Sequence, residues 1–349
     1  MVNIRVTERD IEIFWSIYQL ECIRARDIAS IWFAGEKCGL MRLQKLANTG
    51  YLERQYTVTN KGRKNYSVYG ITDKAIRALA EAGLIENPRR AWDVKLRGFE
   101  MLRRIELSRI CLKLYKQGWS YLGTKDAKIE LGLSPNDPVQ CMLKTPGGKI
   151  YQVYQVWEDV RDDTKSRMLN AISETKQSNV LLYHTGDPIK QTKAVEKILS
   201  TMEGNSISLS ELSLVPLMQM ETESEIIDMA YEMLNNSTEE KVMKYLAGKY
   251  DHVKKVTNRY LFGNISVEDK EAEYLVCNYL KRDILSLTML SKLLTKREYA
   301  ANKQKAIVLT WNGYANEVRE KLEAIEPGRE FIKIEAIDRE AMMNNEICP

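Results

Sequence analysis

No stretch of this 349-residue chain approaches the ~18 consecutive apolar residues that a membrane helix needs, so no membrane-spanning segment is expected. The opening residues, MVNIRVTERD, contain no apolar signal region, which predicts a protein that stays in the cytoplasm. Its six cysteines (Cys22, Cys38, Cys111, Cys141, Cys277, Cys348) form no Cys-x-x-Cys pair. Without an export signal they are expected to be reduced thiols, several of them filling core space. Histidine is nearly missing: His184 and His252 are too few for a His-based metal site, and no metal or other cofactor is expected. Pro146-Gly147-Gly148 lacks the Lys and Ser/Thr of a phosphate-cradling loop and reads as a hairpin turn. There is no Gly-x-Ser-x-Gly elbow, no internal repeat and no low-complexity tract.

What remains is an ordinary globular composition, 44% hydrophobic and 29% charged, in a chain long enough for two domains. The net charge of +4 is unevenly spread. Residues 1–118 hold 22 Lys and Arg against 13 Asp and Glu, a net +9, and the rest hold 30 against 35, a net −5. A basic N-terminal third on a mildly acidic body points to a polyanionic partner at one end.

The N-terminal third reads as three short helices and a hairpin. Thr7 is placed as the N-cap of a helix over Glu8–Leu20, with apolar rows at Ile11/Phe14/Tyr18 and Ile13/Ile17. A break at Glu21–Arg24 precedes a second helix, Ala25–Phe33, and Ala34-Gly35 makes the turn. In the third, Leu40, Leu43, Leu46 and Ala47 share one face, while Lys37, Arg42 and Lys45 lie off it. Asn48-Thr49-Gly50 stops this helix, with Gly50 at the C′ position. Two β-rich runs, Tyr51–Thr59 and Asn65–Thr72, follow, joined by the basic turn Asn60-Lys61-Gly62-Arg63-Lys64. This order predicts a winged helix-turn-helix over residues 1–84. A fourth helix is expected from Asp73 to Ala82. A linker and long helix, Val94–Lys116, are expected within 85–118, the helix being a candidate dimer contact.

After Gly118 strand-like runs (119–122, 139–144, 150–157, 180–184, 206–214, 274–280, 306–311, 330–337) alternate with helical ones (164–176, 189–202, 223–234, 239–249, 284–294, 316–324). The expected class is α+β or mixed, with an α/β domain over 119–349.

Arg42 and Lys45 are the candidate major-groove contacts, since an α-helix fits that groove and Arg pairs readily with guanine. Lys37 and the free N–H groups of the third helix would hold phosphate. Lys61, Arg63 and Lys64 at the wing tip would reach the minor groove or the backbone. Each alone reads more readily as a solvated surface charge; together, at both contact points of one motif, they point to double-stranded DNA. No catalytic set is complete: His184 with Asp187 lacks a nucleophile, and the strand Tyr151–Val156 carries no carboxylate-x-Lys pair for a metal-dependent nuclease.

Three stretches carry a family resemblance: Val6–Ile13 (VTERDIEI), Arg26-Asp27-Ile28-Ala29, and Met41–Arg54 (MRLQKLANTGYLER). They resemble the replication-relaxation proteins of Gram-positive plasmids, conjugative elements and phages, over the N-terminal part of the chain. The resemblance implies a winged-helix domain ahead of a degenerate restriction-endonuclease-like core, and a part in plasmid replication or DNA mobilisation. Members often carry an acidic strand residue where this chain has Gln152 or Gln155, which implies no cleavage. The expectation is a homodimeric, sequence-specific DNA-binding protein of a mobile element, acting as a transcription regulator or replication factor. The alternatives are a metal-dependent nuclease or nicking enzyme and a protein-interaction scaffold built on the same winged helix.

Overall fold

The computed structural model describes residues 4–58, 65–96, 98–156, 162–175, 179–185, 192, 195, 209–218, 223–256, 262–270, 272–294, 305–323 and 331–338. Within these residues the chain is mixed α and β, with eleven α-helices and thirteen strands. It forms two compact units: Met1–Pro135 with Val139–Ile150, and Asn136–Pro138 with Tyr151–Pro349.

In the first unit, α1 (Glu8–Leu20) begins on a reciprocal capping box. The Asp10 amide donates to Thr7 Oγ1 at 3.3 Å, and the Thr7 amide donates to Asp10 Oδ2 at 2.8 Å. Ile13, Phe14, Ile17 and Leu20 are fully buried and give the helix its core face. Next come α2 (Ala25–Trp32) and α3 (Glu36–Asn48), which pack closely at Gly39. A Cβ there would lie 2.7 Å from Ala29 Cβ and 3.0 Å from Phe33 Cδ2, so glycine sets the approach of the two helices. Past the α3 cap at Thr49, Gly50 takes φ 78°, the left-handed turn the sequence predicts. Tyr51 N then donates to Leu46 O at 2.9 Å.

The strands β2 (Leu52–Val58) and β3 (Asn65–Ile71) pair antiparallel, Leu52 opposite Ile71. Where the sequence shows only a break, Ile23–Arg24 forms a short β1 against β3, giving the order β1-β3-β2. Two residues are too few to carry an alternation signal. Capped by Thr72, α4 (Asp73–Glu81) follows as expected, and the Phe14 ring stacks on Tyr51 at 5.5 Å, joining α1 to the foot of the hairpin.

The expected long helix is divided. A 3₁₀ turn covers Ala91–Val94, and α5 runs over Gly98–Tyr115. It packs within the first unit. Ile105, Leu107, Ile110, Cys111, Leu112 and Leu114 are all buried, against α2, β1 and the strand that follows. These residues lie all round the helix, the pattern of one covered on several sides. That strand, β4 (Ser120–Gly123), pairs antiparallel with β5 (Cys141–Lys144). Between them lies α6 (Thr124–Leu131), which no periodicity announces. Tyr121 Oη donates to Ser16 Oγ at 2.8 Å and Gly123 N to Gln19 Oε1 at 2.7 Å, so β4 belongs with α1. The change of texture at Gly118 is therefore not the domain boundary it resembles.

The second unit is built from β-α-β crossovers. β6 (Ile150–Val156), α7 (Asp162–Glu174), β7 (Asn179–Thr185) and β8 (Glu211–Met218) set three strands parallel. Two helices, α8 (Glu223–Asn236) and α9 (Glu239–Ala247), precede a second sheet. There β9 (His252–Lys255), β10 (Ile265–Glu268) and β11 (Glu273–Asn278) run antiparallel. With α10 (Ile284–Leu294) and α11 (Ala315–Glu323) between them, β11, β12 (Lys305–Trp311) and β13 (Ile332–Ile337) run parallel. Ala306, Ile307, Val308 and Leu309 are fully buried, as expected of a strand covered on both faces. The mainly polar β9 and the short β10 have no sequence counterpart. The predicted helix Ile189–Met202 lies outside the described residues apart from Thr192 and Val195. Cys22, Cys111, Cys141 and Cys277 are buried thiols; Cys348 lies outside the described residues. Among the described residues, no helix is long and apolar enough to cross a membrane.

Candidate nucleic-acid interface

Burial fixes how α3 is presented. Leu43 and Leu46 face the core with no exposed surface, and Gly39 is pressed against α2. At about 100° per residue, Lys37, Met41, Gln44 and Asn48 fall within an arc of about 60° on the opposite side, and all four are exposed. Lys45, also exposed, lies beside them. The N-cap Gly35 makes no side-chain cap, so the first-turn N–H groups are not covered by a capping side chain. Glu36, in that turn, pairs with the exposed Arg26 at 3.1 Å.

Arg42 takes a different direction. Its Nε donates to Asp10 Oδ1 at 3.0 Å, its Nη2 bonds Asp10 Oδ2, and the same nitrogen donates to Arg5 O at 2.7 Å. Asp10 has no exposed surface. Burial pushes its carboxyl up, but the hydrogen bonds from Arg42 and Thr7 outweigh this and hold it below the ordinary 3.8. Arg42 therefore fastens α3 to the start of α1, with its Nε and Nη2 both engaged. The sequence places it correctly off the apolar stripe but does not show that a buried carboxylate, 32 residues earlier, claims it.

Much of the remaining N-terminal charge is likewise committed inside the unit. Arg24 pairs with Asp27 at 2.7 Å, Arg104 with Glu21 at 3.1 Å and Lys95 with Glu53 at 2.5 Å. Arg89 donates to Tyr18 Oη at 2.9 Å and lies over its ring. Lys37 and Lys45 thus carry the positive charge of the exposed α3 face. Lys61, Arg63 and Lys64 lie outside the described residues. The hairpin adds a residue that the sequence reading does not single out: Arg54 on β2 donates to Ser67 Oγ at 2.9 Å and, more loosely, to Gln44 Oε1 at 3.4 Å. Because those two contacts join β2, β3 and α3, only the tertiary structure reveals it.

The second unit holds a buried polar cluster just past the ends of parallel strands, where α/β folds place their sites. Arg282, fully buried and at φ 52°, donates from Nη2 to both carboxylate oxygens of Glu317, at 3.1 and 3.0 Å, and to Thr192 Oγ1 at 2.8 Å. Tyr279 Oη donates to the same carboxylate at 3.0 Å, and the Tyr314 ring lies 4.6 Å beneath the guanidinium. His184 Nε2 is 3.2 Å from Arg282 Nη1, and burial with that cation pushes its pKa down to about 3. A ring held neutral so far below pH 7 is not tuned for acid–base exchange near neutrality. The sequence pairs His184 with Asp187, which lies outside the described residues.

Beside this cluster, Lys281 pairs with Glu211 at 2.7 Å and donates to Tyr151 Oη at 2.8 Å. The charged run Lys281-Arg282-Asp283 between two apolar segments was the available signal for both networks. Gln152, on β6, is buried. It donates to Thr175 Oγ1 at 3.0 Å and accepts from Tyr154 Oη at 2.9 Å, a structural arrangement. Among the described residues, no group of three or more His, Cys, Asp and Glu is arranged to hold a metal ion.

Comparison with known proteins finds no family model, no curated protein and no solved structure that matches this chain.

Proposed function

We propose that this chain is a sequence-specific double-stranded DNA-binding protein in which the first unit is a winged helix and α3 enters the major groove. The observation that carries the reading is the α3 face opposite Leu43 and Leu46. It is exposed along its length and presents Lys37, Lys45 and the amides of Gln44 and Asn48. An α-helix is the right width for the major groove, lysines suit phosphate, and side-chain amides suit base edges. The net +9 of residues 1–118 supports the same partner. The resemblance to replication-relaxation proteins makes a mobile element, and regulation of its transcription or replication, part of the proposal. Two copies on half-sites about one helical turn apart complete it. No catalytic step is included.

The test is fluorescence-anisotropy binding of the full chain to duplex DNA from the element that encodes it, at two salt concentrations, beside Lys37→Ala/Lys45→Ala. Tight binding that weakens with salt, and weakens further in the double variant, supports the reading. Binding indifferent to both, or none, ends it.

A further inference from the structure

We infer that Met41, Gln44 and Asn48 are the base-reading residues and that the pairs they read are A·T, with Arg54 positioning Gln44. This rests on the DNA-binding reading above and goes beyond it by assigning which side chains discriminate and which bases they accept.

Four observations carry it. First, Met41, Gln44 and Asn48 lie three and four residues apart, so with Lys37 they form a single row on the exposed side of α3. From Met41 to Asn48 the row rises about 10 Å at 1.5 Å per residue, the length of about three base-pair steps. Second, the cations at this surface flank the row rather than occupy its centre. Lys37 stands at the N-terminal end and Lys45 to one side, while Arg42, the group best suited to guanine, is locked onto buried Asp10. The side chains that α3 itself places at the centre of the row are therefore amides and a thioether, and the Arg54 guanidinium that reaches Gln44 from β2 is engaged there and on Ser67 Oγ.

Third, an amide meets adenine in a bidentate pair: its oxygen accepts from N6–H and its nitrogen donates to N7. The thymine opposite presents a C5-methyl group, an apolar partner for Met41, which is 55% exposed. Fourth, the hairpin sets which way Gln44 faces. A guanidinium carries donors only, so the Gln44 atom toward Arg54 Nη1 is the carbonyl oxygen, and the amide nitrogen is directed away from it. That oxygen retains a second lone pair for adenine N6–H. Arg54 is itself held by Ser67 Oγ at 2.9 Å, so the orientation of a reading residue on α3 is supported from β2 and β3.

The experiment is selection of binding sites by the full chain from a random duplex pool, repeated with Gln44→Ala, Asn48→Ala and Arg54→Ala, with each selected site then measured by anisotropy. Alanine is a good helix residue, so the α3 variants keep the helix. The expected result is a selected half-site whose central positions are A·T. Gln44→Ala and Asn48→Ala each lose preference at one of those positions, with about a tenfold or greater loss of discrimination. Arg54→Ala loses preference at the Gln44 position, which a purely phosphate-binding or structural arginine would not do. Selection of G·C at the central positions, or variants whose preferences match the wild type, overturns the inference while leaving DNA binding intact. Salt-dependent binding with no enriched sequence also overturns it. Absence of any DNA binding overturns the underlying reading as well.

Discussion

Arg42, on the third helix, closes with two nitrogens on the carboxylate of Asp10 in the first turn of α1, a carboxylate with no exposed surface. The pair makes Arg42 a fastening that ties α3 to the start of α1. Its first consequence concerns stability. Truncating one partner of a buried ion pair strands the other charge, so Arg42→Ala should destabilise the protein by about 3 kcal/mol. Urea unfolding of Arg42→Ala, Asp10→Asn and the double variant checks this, and the double variant should be less destabilised than the sum of the two singles. Additive effects would show that the pair is not coupled.

Gly39 provides a second test of how α3 is held. A methyl group there meets Ala29 Cβ at 2.7 Å, so Gly39→Ala should lower stability by about 1–3 kcal/mol despite the better helix propensity of alanine. A more stable Gly39→Ala in thermal unfolding would mean that α2 and α3 can separate at little cost.

The exposed lysines should behave unlike Arg42. Lys37→Ala and Lys45→Ala should leave the melting temperature within about 1–2 °C of wild type, being surface changes. Each should reduce the slope of log affinity against log salt by about 1, on all duplex sequences alike. Titrations at a series of salt concentrations measure that slope directly.

In the second unit, Glu317→Gln removes the charge that faces Arg282, whose guanidinium has no exposed surface. A loss of about 3–5 kcal/mol is expected. Pairing Glu317→Gln with Arg282→Met should restore part of it, since an uncharged, well-filled pair avoids the stranded cation. Equal destabilisation in the single and double variants would place the loss elsewhere.

His184 makes stability depend on pH with a definite sign. Its folded pKa is pushed down to about 3 from an ordinary 6.5, so between those values the unfolded chain binds a proton that the folded chain refuses. Stability should therefore fall as the pH is lowered from 6.5 toward 3. His184→Gln should flatten the part of that fall lying above pH 5, where few carboxylates titrate. Unfolding midpoints at half-unit pH steps, wild type beside variant, make the comparison.

The sequence by itself determined the local elements of the N-terminal unit. Thr7 with Asp10, the apolar rows of α1, Gly50 in a left-handed turn and the two β-rich runs are all encoded within a few residues of where they act. It also marked α7, α8, α10 and the buried run of β12, because helical spacing and a continuous apolar strand are properties of one segment. Only the tertiary structure decided which residue meets which. Asp10 claims Arg42, the first unit absorbs α5 and β4, Arg282 is enclosed by Glu317, Thr192 and His184, and Arg54 reaches Gln44. Periodicity reports that a face is covered without naming the cover. Charge reports that a side chain wants a partner without saying whether that partner is solvent, nucleic acid or a carboxylate brought near by the fold. That is why the exposed side of α3 was legible in the sequence, and the partners of Arg42 and Gln44 were not.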